Sequence, residues 1–277
     1  MTSDRQTPRS HAPRTPAEAV RRLVAGNQSF VRMAEAAARG ESVVTRLDPS
    51  DVEFATRSGA APKQRPFAAV LGCSDARVPV EIVFQQRSND LFVVRVAGNG
   101  TGLGGLGSFR YAASQFQESL RLMVVLGHSH CGAVTAAVDA FLRPRNYLPL
   151  ASHYPLRSIV DGLLVAVRAG EIALESVHGS GVAKRPGHRE ALVEVSVVVN
   201  SALSAFSLEQ ELPNRQVGVV YGRYDLRTGR LSLPLAGDDG PPLTAAPRDE
   251  AGFRLLGERL ASSPEVTALL RGPRKAA

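Results

Sequence analysis

Three short, continuous apolar runs mark the middle of the chain: Phe67–Cys73 (FAAVLGC), Leu91–Ala97 (LFVVRVA) and Leu122–Gly127 (LMVVLG). Runs of this length with no polar alternation predict strands buried on both faces. Between and after them, apolar residues return at helical spacing. Phe109, Ala113, Phe116 and Leu120 share one face, and so do Val134, Ala137, Val138 and Phe141. Strands alternating with helices predict an α/β fold, a mainly parallel sheet flanked by helices. Gln216–Leu226 and Arg230–Pro234 are two further strand candidates, separated by the turn at 227–230.

The flanks read differently. Val20, Leu23, Val24 and Val31 recur at helical spacing after Pro16, so 16–37 is expected to form one or two helices. Residues 38–65 are polar and read as a loop with room for a short helix. Helical spacing returns over 156–176 and 189–207. Within the second stretch Val193-Glu-Val-Ser-Val197 also alternates like a strand, and length favours helix. Residues 236–250 are loop-like, and the segment after 251 is expected to hold one helix in an otherwise exposed tail. The organisation expected is a disordered N-terminal arm over 1–15, one catalytic α/β domain over 16–235, and a loop-rich C-terminal tail over 236–277.

Composition narrows the class. The chain has 277 residues, 44% hydrophobic and 21% charged, which suits one sizeable core and excludes a wholly disordered chain. No run approaches the apolar length of a membrane span, and the first fifteen residues hold no apolar signal region. The net charge of +7 is mostly arginine, since Lys63, Lys184 and Lys275 are the only lysines. The arginines are scattered and not interleaved with aromatics, so no nucleic-acid partner is expected. Two cysteines cannot build a disulfide scaffold, and a cytoplasmic location is expected.

Both cysteines sit where an apolar run ends. Cys73 opens Cys73-Ser-Asp-Ala-Arg77, and Cys131 lies in Gly127-His-Ser-His-Cys-Gly132. Ligands of open parallel sheets bind outside the carboxyl ends of the strands. Neighbouring strands would bring Cys73, Asp75, His128 and Cys131 to one point. The spacing His128-x-x-Cys131 suits two ligands on one turn at a helix start, and two thiolates with one imidazole suit Zn²⁺. A cysteine at a strand end is more often a small core residue; the paired arrangement is what points to a metal. Asp75 then has two available partners. It can close the metal's tetrahedron, making a structural site, or pair with Arg77 and leave the fourth position to water.

These motifs resemble the β-class carbonic anhydrase family. The likeness extends to Pro16–Val31, to Asp90–Asn99, to Gly107–Ala113 and to Tyr221–Gly229, covering about residues 16–235. The resemblance implies zinc ligands at Cys73, His128 and Cys131, with one Zn²⁺ per chain. It implies a gating dyad of Asp75 and Arg77, Asp75 being a fourth ligand in a closed state. Gln64 and the backbone N–H of Gly132 would contact CO2 or bicarbonate, with Gln64 reaching the partner subunit's site. N-terminal helices would extend onto a second subunit, giving a homodimer or a dimer of dimers. The implied activity is that of a lyase, carbonate dehydratase: reversible hydration of CO2 to bicarbonate and a proton by zinc-hydroxide attack. COS or CS2 hydrolysis at the same zinc, and a non-catalytic zinc- or bicarbonate-sensing homologue, stand as alternatives.

Some positions depart from the family pattern. Ala76 stands where serine is common, Ser196 where the late helix usually carries asparagine, and His130 is unusual in size, reading as a solvent-facing spectator or a proton shuttle. The chain has no Trp, so the family's non-catalytic bicarbonate pocket is not expected in its usual form. Gly100-x-Gly102-x-x-Gly105 fits a dinucleotide pattern but follows the second strand instead of opening a βαβ unit. It reads as a glycine-rich strand exit. Val78 is a candidate for an apolar wall beside the metal.

Overall fold

The computed structural model describes residues 12–43, 63–212, 216–235 and 240–272. The expected arm up to residue 11 lies outside these ranges, as do 44–62, 213–215, 236–239 and 273–277.

Four parallel strands form the centre: β1 (Ala68–Gly72), β2 (Leu91–Arg95), β3 (Leu122–His128) and β4 (Gly218–Tyr224). A short antiparallel strand, β5 (Leu243–Thr244), closes one edge, giving the order β2-β1-β3-β4-β5. Between these strands lie α2 (Val80–Val83), α3 (Leu103–Gln115), α4 (Gly132–Leu142), α5 (Leu148–Ala151), α6 (Tyr154–His178) and α7 (His188–Glu211). Helix α1 (Pro16–Ala38) precedes β1, and α8 (Glu250–Ala261) and α9 (Pro264–Leu270) follow β5.

β1 and β3 are buried throughout because two cores flank the sheet, whereas β2, expected to be buried on both faces, is the edge strand and is only partly buried, with Arg95 exposed. Ala69, Leu71 and Cys73, with Met123 and Val125, face the larger core under α3, α4, α6 and α7. Ala68 and Val70, with Leu122, Val124 and Leu126, face the smaller core under α1 and α2. This alternation follows from the two-residue period of a strand. It also sends the Cys73 side chain towards α7.

Helix α1 is a single helix. Thr15 caps it through Glu18 N–H at 3.2 Å, Pro16 occupies its first turn, and Ala19, Leu23, Asn27 and Val31 form its buried stripe. Helix α7 is apolar and long enough to span a membrane, but 83% of its apolar window is buried. Packing between the sheet and α6, α8 and α9 accounts for that composition. The strand-like alternation at Val193–Val197 is overruled by this burial on every side.

Two expectations at the C-terminal edge are corrected. Arg230–Pro234 is not a strand; only Leu231 makes a bridge, to Tyr224. The backbone N–H of Leu231 is taken by Asn27 Oδ1 at 2.9 Å, and the edge of β4 beside Tyr221 and Gly222 is occupied by β5 instead. The segment after 251 holds two helices in place of one, and Leu256, Leu260, Val266 and Leu270 are buried in the main core. The expected face from Phe109 to Leu120 is buried, although α3 ends at Gln115 and Leu120 lies in the turn leading to β3.

Candidate functional site

Register builds the site. Gly72 pairs with Leu126, so Cys73, one residue past β1, stands level with the end of β3, and His128 is the last residue of that strand. Gly127 permits this approach. A side chain there would meet Ser201 Oγ of α7 at 2.3 Å, so α7 seats directly against the strand end. Cys131 follows as the N-cap of α4.

Cys73 Sγ, one ring nitrogen of His128 and Cys131 Sγ lie within 4.8 Å of one another, and all three residues are buried. The sulfurs are 3.9 Å apart. His128 Nδ1 lies 3.0 Å from the Ser129 carbonyl, a contact that requires an N–H on Nδ1. In the neutral ring, Nε2 then carries the lone pair, and Nε2 is buried with no hydrogen-bond partner. A buried, unsatisfied nitrogen is costly unless something occupies it. A ring tautomer fixed by a backbone carbonyl is the usual preparation of a metal-ligating histidine. Two thiols and this nitrogen form a soft, enclosed donor set that fits Zn²⁺.

The electrostatics agree with a cation site. The two sulfurs form a hydrogen-bonded pair: donation from Cys131 draws the Cys73 thiol well below its usual range, against burial, assisted by the Gly98 N–H at 3.3 Å. The Cys73 thiolate and burial push the Cys131 thiol up in turn, against the N–H groups of Val134 and Ala133 in the first turn of α4. A metal would replace the proton between the sulfurs. Gly98 has φ of +72°, and a side chain there would meet Leu163 Cδ1 at 2.9 Å. Asn200 fixes the other side of this residue by donating to the Gly98 carbonyl at 2.8 Å.

Asp75 sits beside this set, its Oδ2 3.8 Å from His128 Nε2. Arg77 holds it with three donors: the backbone N–H and Nε to Oδ1, each at 2.9 Å, and Nη2 to Oδ2 at 2.7 Å. The guanidinium keeps the Asp75 carboxyl well below the usual carboxylate range. Arg95 secures the turn from below, donating to the Cys73 carbonyl at 3.0 Å and the Asp75 carbonyl at 2.5 Å.

Cys73, Asp75, Arg77, His128 and Cys131 are therefore together. Gly132 opens α4 with its Cα face clear. Gln64 is exposed and shares a surface hollow with Leu91 at the amino end of the strands, and the five residues of β1, about 17 Å of strand, separate that end from Cys73, so it does not reach the cluster of its own chain. Val78 is fully buried in the core under α1 and forms no wall of the site. His130 points outward at 70% side-chain exposure. Ser196 Oγ is buried without a partner, and the α7 amide that serves the site belongs to Asn200.

Sequence reasoning missed Arg95, Gly98 and Glu194. Arg95 had a visible signal, a charge interrupting an apolar strand run. Glu194 had a weaker one, a lone acid in the apolar stretch Leu192–Val199.

A family model described as Carbonic anhydrase matches residues 68–231. Carbonic anhydrase 2 of Mycobacterium tuberculosis is 33% identical over 177 residues, 64% of this chain and 78% of that protein. A carbonic anhydrase of Mycolicibacterium smegmatis is 46% identical over 84 residues, 30% of this chain and 40% of that protein. Among solved structures, the β-carbonic anhydrase CcaA aligns over 76% of this chain and 92% of its own, at 22% identity and a TM-score of 0.48.

Proposed function

This chain belongs to the β-class carbonic anhydrase family, and from that premise we propose that it catalyses the reversible hydration of CO2 to bicarbonate and a proton. Cys73 Sγ, His128 Nε2 and Cys131 Sγ would hold one Zn²⁺. The observation that carries this reading is the buried, unpartnered His128 Nε2 on a residue clustered with two buried cysteines whose sulfurs are 3.9 Å apart. When bound, Zn²⁺ supplies the Lewis acidity that makes water a nucleophile near neutral pH.

The chain's own residues do the rest. Asp75, held ionised and oriented by Arg77, accepts a hydrogen bond from the nucleophilic oxygen and so turns a lone pair towards the carbon of CO2. Asp75 rotating away from Arg77 would let its carboxylate become a fourth metal ligand, which closes the site. The N–H of Gly132, in the first turn of α4, would donate to a developing oxyanion, a role supported by the positive end of that helix. Gln64 acts on a second subunit's site, a role supported by its distance from the cluster of its own chain. That role and the expected reach of the N-terminal helices make the working unit a homodimer or a dimer of dimers. Two buried free thiols suit the reducing cytoplasm.

The test is stopped-flow CO2 hydration from about pH 6.5 to 9 with zinc quantified in the same sample, a range spanning the titration of water activated by zinc. One zinc per chain with fast hydration is expected. One zinc with no CO2 hydration but turnover of COS or CS2 overturns the substrate; one zinc with no turnover of any of the three makes the chain a sensor.

A further inference from the structure

The turn between His128 and Cys131 is held from outside. Ser129 N–H donates to the Tyr224 carbonyl at 3.0 Å, and Ser129 Oγ accepts from Leu226 N–H at 2.9 Å. His130 adopts φ of +53°, a left-handed conformation that a residue with a side chain keeps only when its surroundings impose it. What meets it is a carboxylate: His130 N–H donates to Glu194 Oε1 at 2.8 Å. The ring Nδ1 of His130 is 3.8 Å from the same oxygen, so the short contact is through the backbone and does not depend on the side chain at 130.

Glu194 is 3% exposed on α7 between Val193 and Val195. A buried carboxylate persists only when it is paired and hydrogen-bonded. Its other oxygen, Oε2, accepts from Arg223 Nη2 at 2.9 Å and Nε at 3.2 Å. Arg223 is 1% exposed on β4. It also donates to Glu265 of α9, with Nη2 to Oε1 at 2.5 Å and Nη1 to Oε2 at 3.5 Å, and to Asp225 Oδ2 at 3.5 Å. One chain of charge-assisted bonds thus runs from α9 through β4 and α7 to the turn that carries two metal ligands. Glu265 lies beyond residue 231, where the family match ends.

We infer that Glu194 is a positioning residue for the metal centre: it fixes the left-handed peptide at His130 so that His128 and Cys131 present their donors together, with Arg223 and Glu265 keeping it in place. The inference rests on reading Cys73, His128 and Cys131 as the metal ligands. A carboxylate used only to neutralise Arg223 would not need to spend an oxygen on that backbone N–H. Arg223 already has two other acidic partners.

The test compares the zinc-loaded full chain with Glu194→Gln, Glu194→Leu and Glu265→Gln, following zinc release to a chelator and the visible spectrum of the Co²⁺-substituted protein. Glutamine keeps an acceptor for His130 N–H and should hold zinc nearly as well as the parent. Leucine removes the acceptor and should release zinc about 10–100-fold more readily, with shifted Co²⁺–thiolate bands, as loss of an outer ligand-orienting partner does. Glu265→Gln, at the more exposed end, should move both readouts the same way but less. A general loss of stability would lower the melting temperature without altering the Co²⁺ bands of the folded fraction. Glu194→Leu with parental zinc release and spectrum overturns the inference. If that variant does not fold, an unchanged Glu265→Gln overturns it. A parent chain that binds no zinc, or a Cys131→Ser variant that holds it as firmly as the parent, overturns the ligand reading itself and is a different result.

Discussion

Arg77 grips Asp75 with a two-pronged guanidinium contact, Nε to Oδ1 at 2.9 Å and Nη2 to Oδ2 at 2.7 Å, while the carboxylate edge stays 3.8 Å from His128 Nε2. The acid is thus near the donor set and engaged elsewhere. Arg77→Ala removes the alternative partner. Arg77 orients the group that flanks the metal donors, and loss of such an outer partner costs about 10–100-fold, so CO2 hydration should fall by that much with zinc content unchanged. Stopped-flow rates and metal analysis on one preparation check this, and unchanged activity would remove Arg77 from the mechanism.

The same pair fixes a sign for pH. Arg77 holds the Asp75 carboxyl well below its ordinary value. A carboxyl depressed on folding stabilises the native state above its unfolded pKa, about 3.9, and loses that contribution as pH falls through the lower folded value. Between pH 6 and 9 the contribution is therefore constant. The difference in melting temperature between the parent and Arg77→Ala should be flat over that range and shrink only below about pH 4. A difference that changes between pH 6 and 8 would contradict this.

Cys131→Ser replaces a soft ligand with a poor one. Stoichiometric zinc should be lost, and with it the binding free energy that supports the fold. At a ligand excess of 1,000 Kd that energy is about 4 kcal/mol, or roughly 10 °C in melting temperature at a few degrees per kcal/mol. Differential scanning calorimetry with and without chelator measures it. The parent treated with chelator should melt close to the variant.

Gly98→Ala tests the loop that serves Cys73. Alanine at φ of +72° is strained, and its Cβ would press on Leu163 at 2.9 Å. The expected cost is about 1–3 kcal/mol in chemical denaturation. Because Gly98 N–H also bonds Cys73 Sγ at 3.3 Å, zinc release should quicken as well. A destabilised chain with parental zinc retention would separate the two effects.

The central strands were legible because a strand covered on both faces has nowhere to hide a polar residue, and Phe67–Cys73 and Leu122–Gly127 contain none but the sulfur. The cysteine and histidine motifs were legible for the same reason, standing directly at the ends of those runs. β5 was not: two residues, Leu243 and Thr244, carry no period, and it took the edge that Arg230–Pro234 was expected to fill. α9 was hidden by its shortness, although Ser263 accepting from Val266 N–H at 3.2 Å and Pro264 in its first turn are ordinary helix-start chemistry. Glu194 was illegible for a deeper reason. A charge in a helix reads as a solvated face unless its distant partner, here Arg223 29 positions away, is known to be opposite it.

The 3.9 Å between the two sulfurs carries a cost outside the reaction cycle. A disulfide needs them at about 2.05 Å, a closure of under 2 Å. Oxidation and metallation draw on the same sulfur lone pairs, so they exclude each other. A chain oxidised at these two sulfurs before it met zinc would have no thiolate left to offer the metal. The order of those two encounters, set by the redox poise and metal supply of its surroundings, decides how much of the protein ever becomes competent.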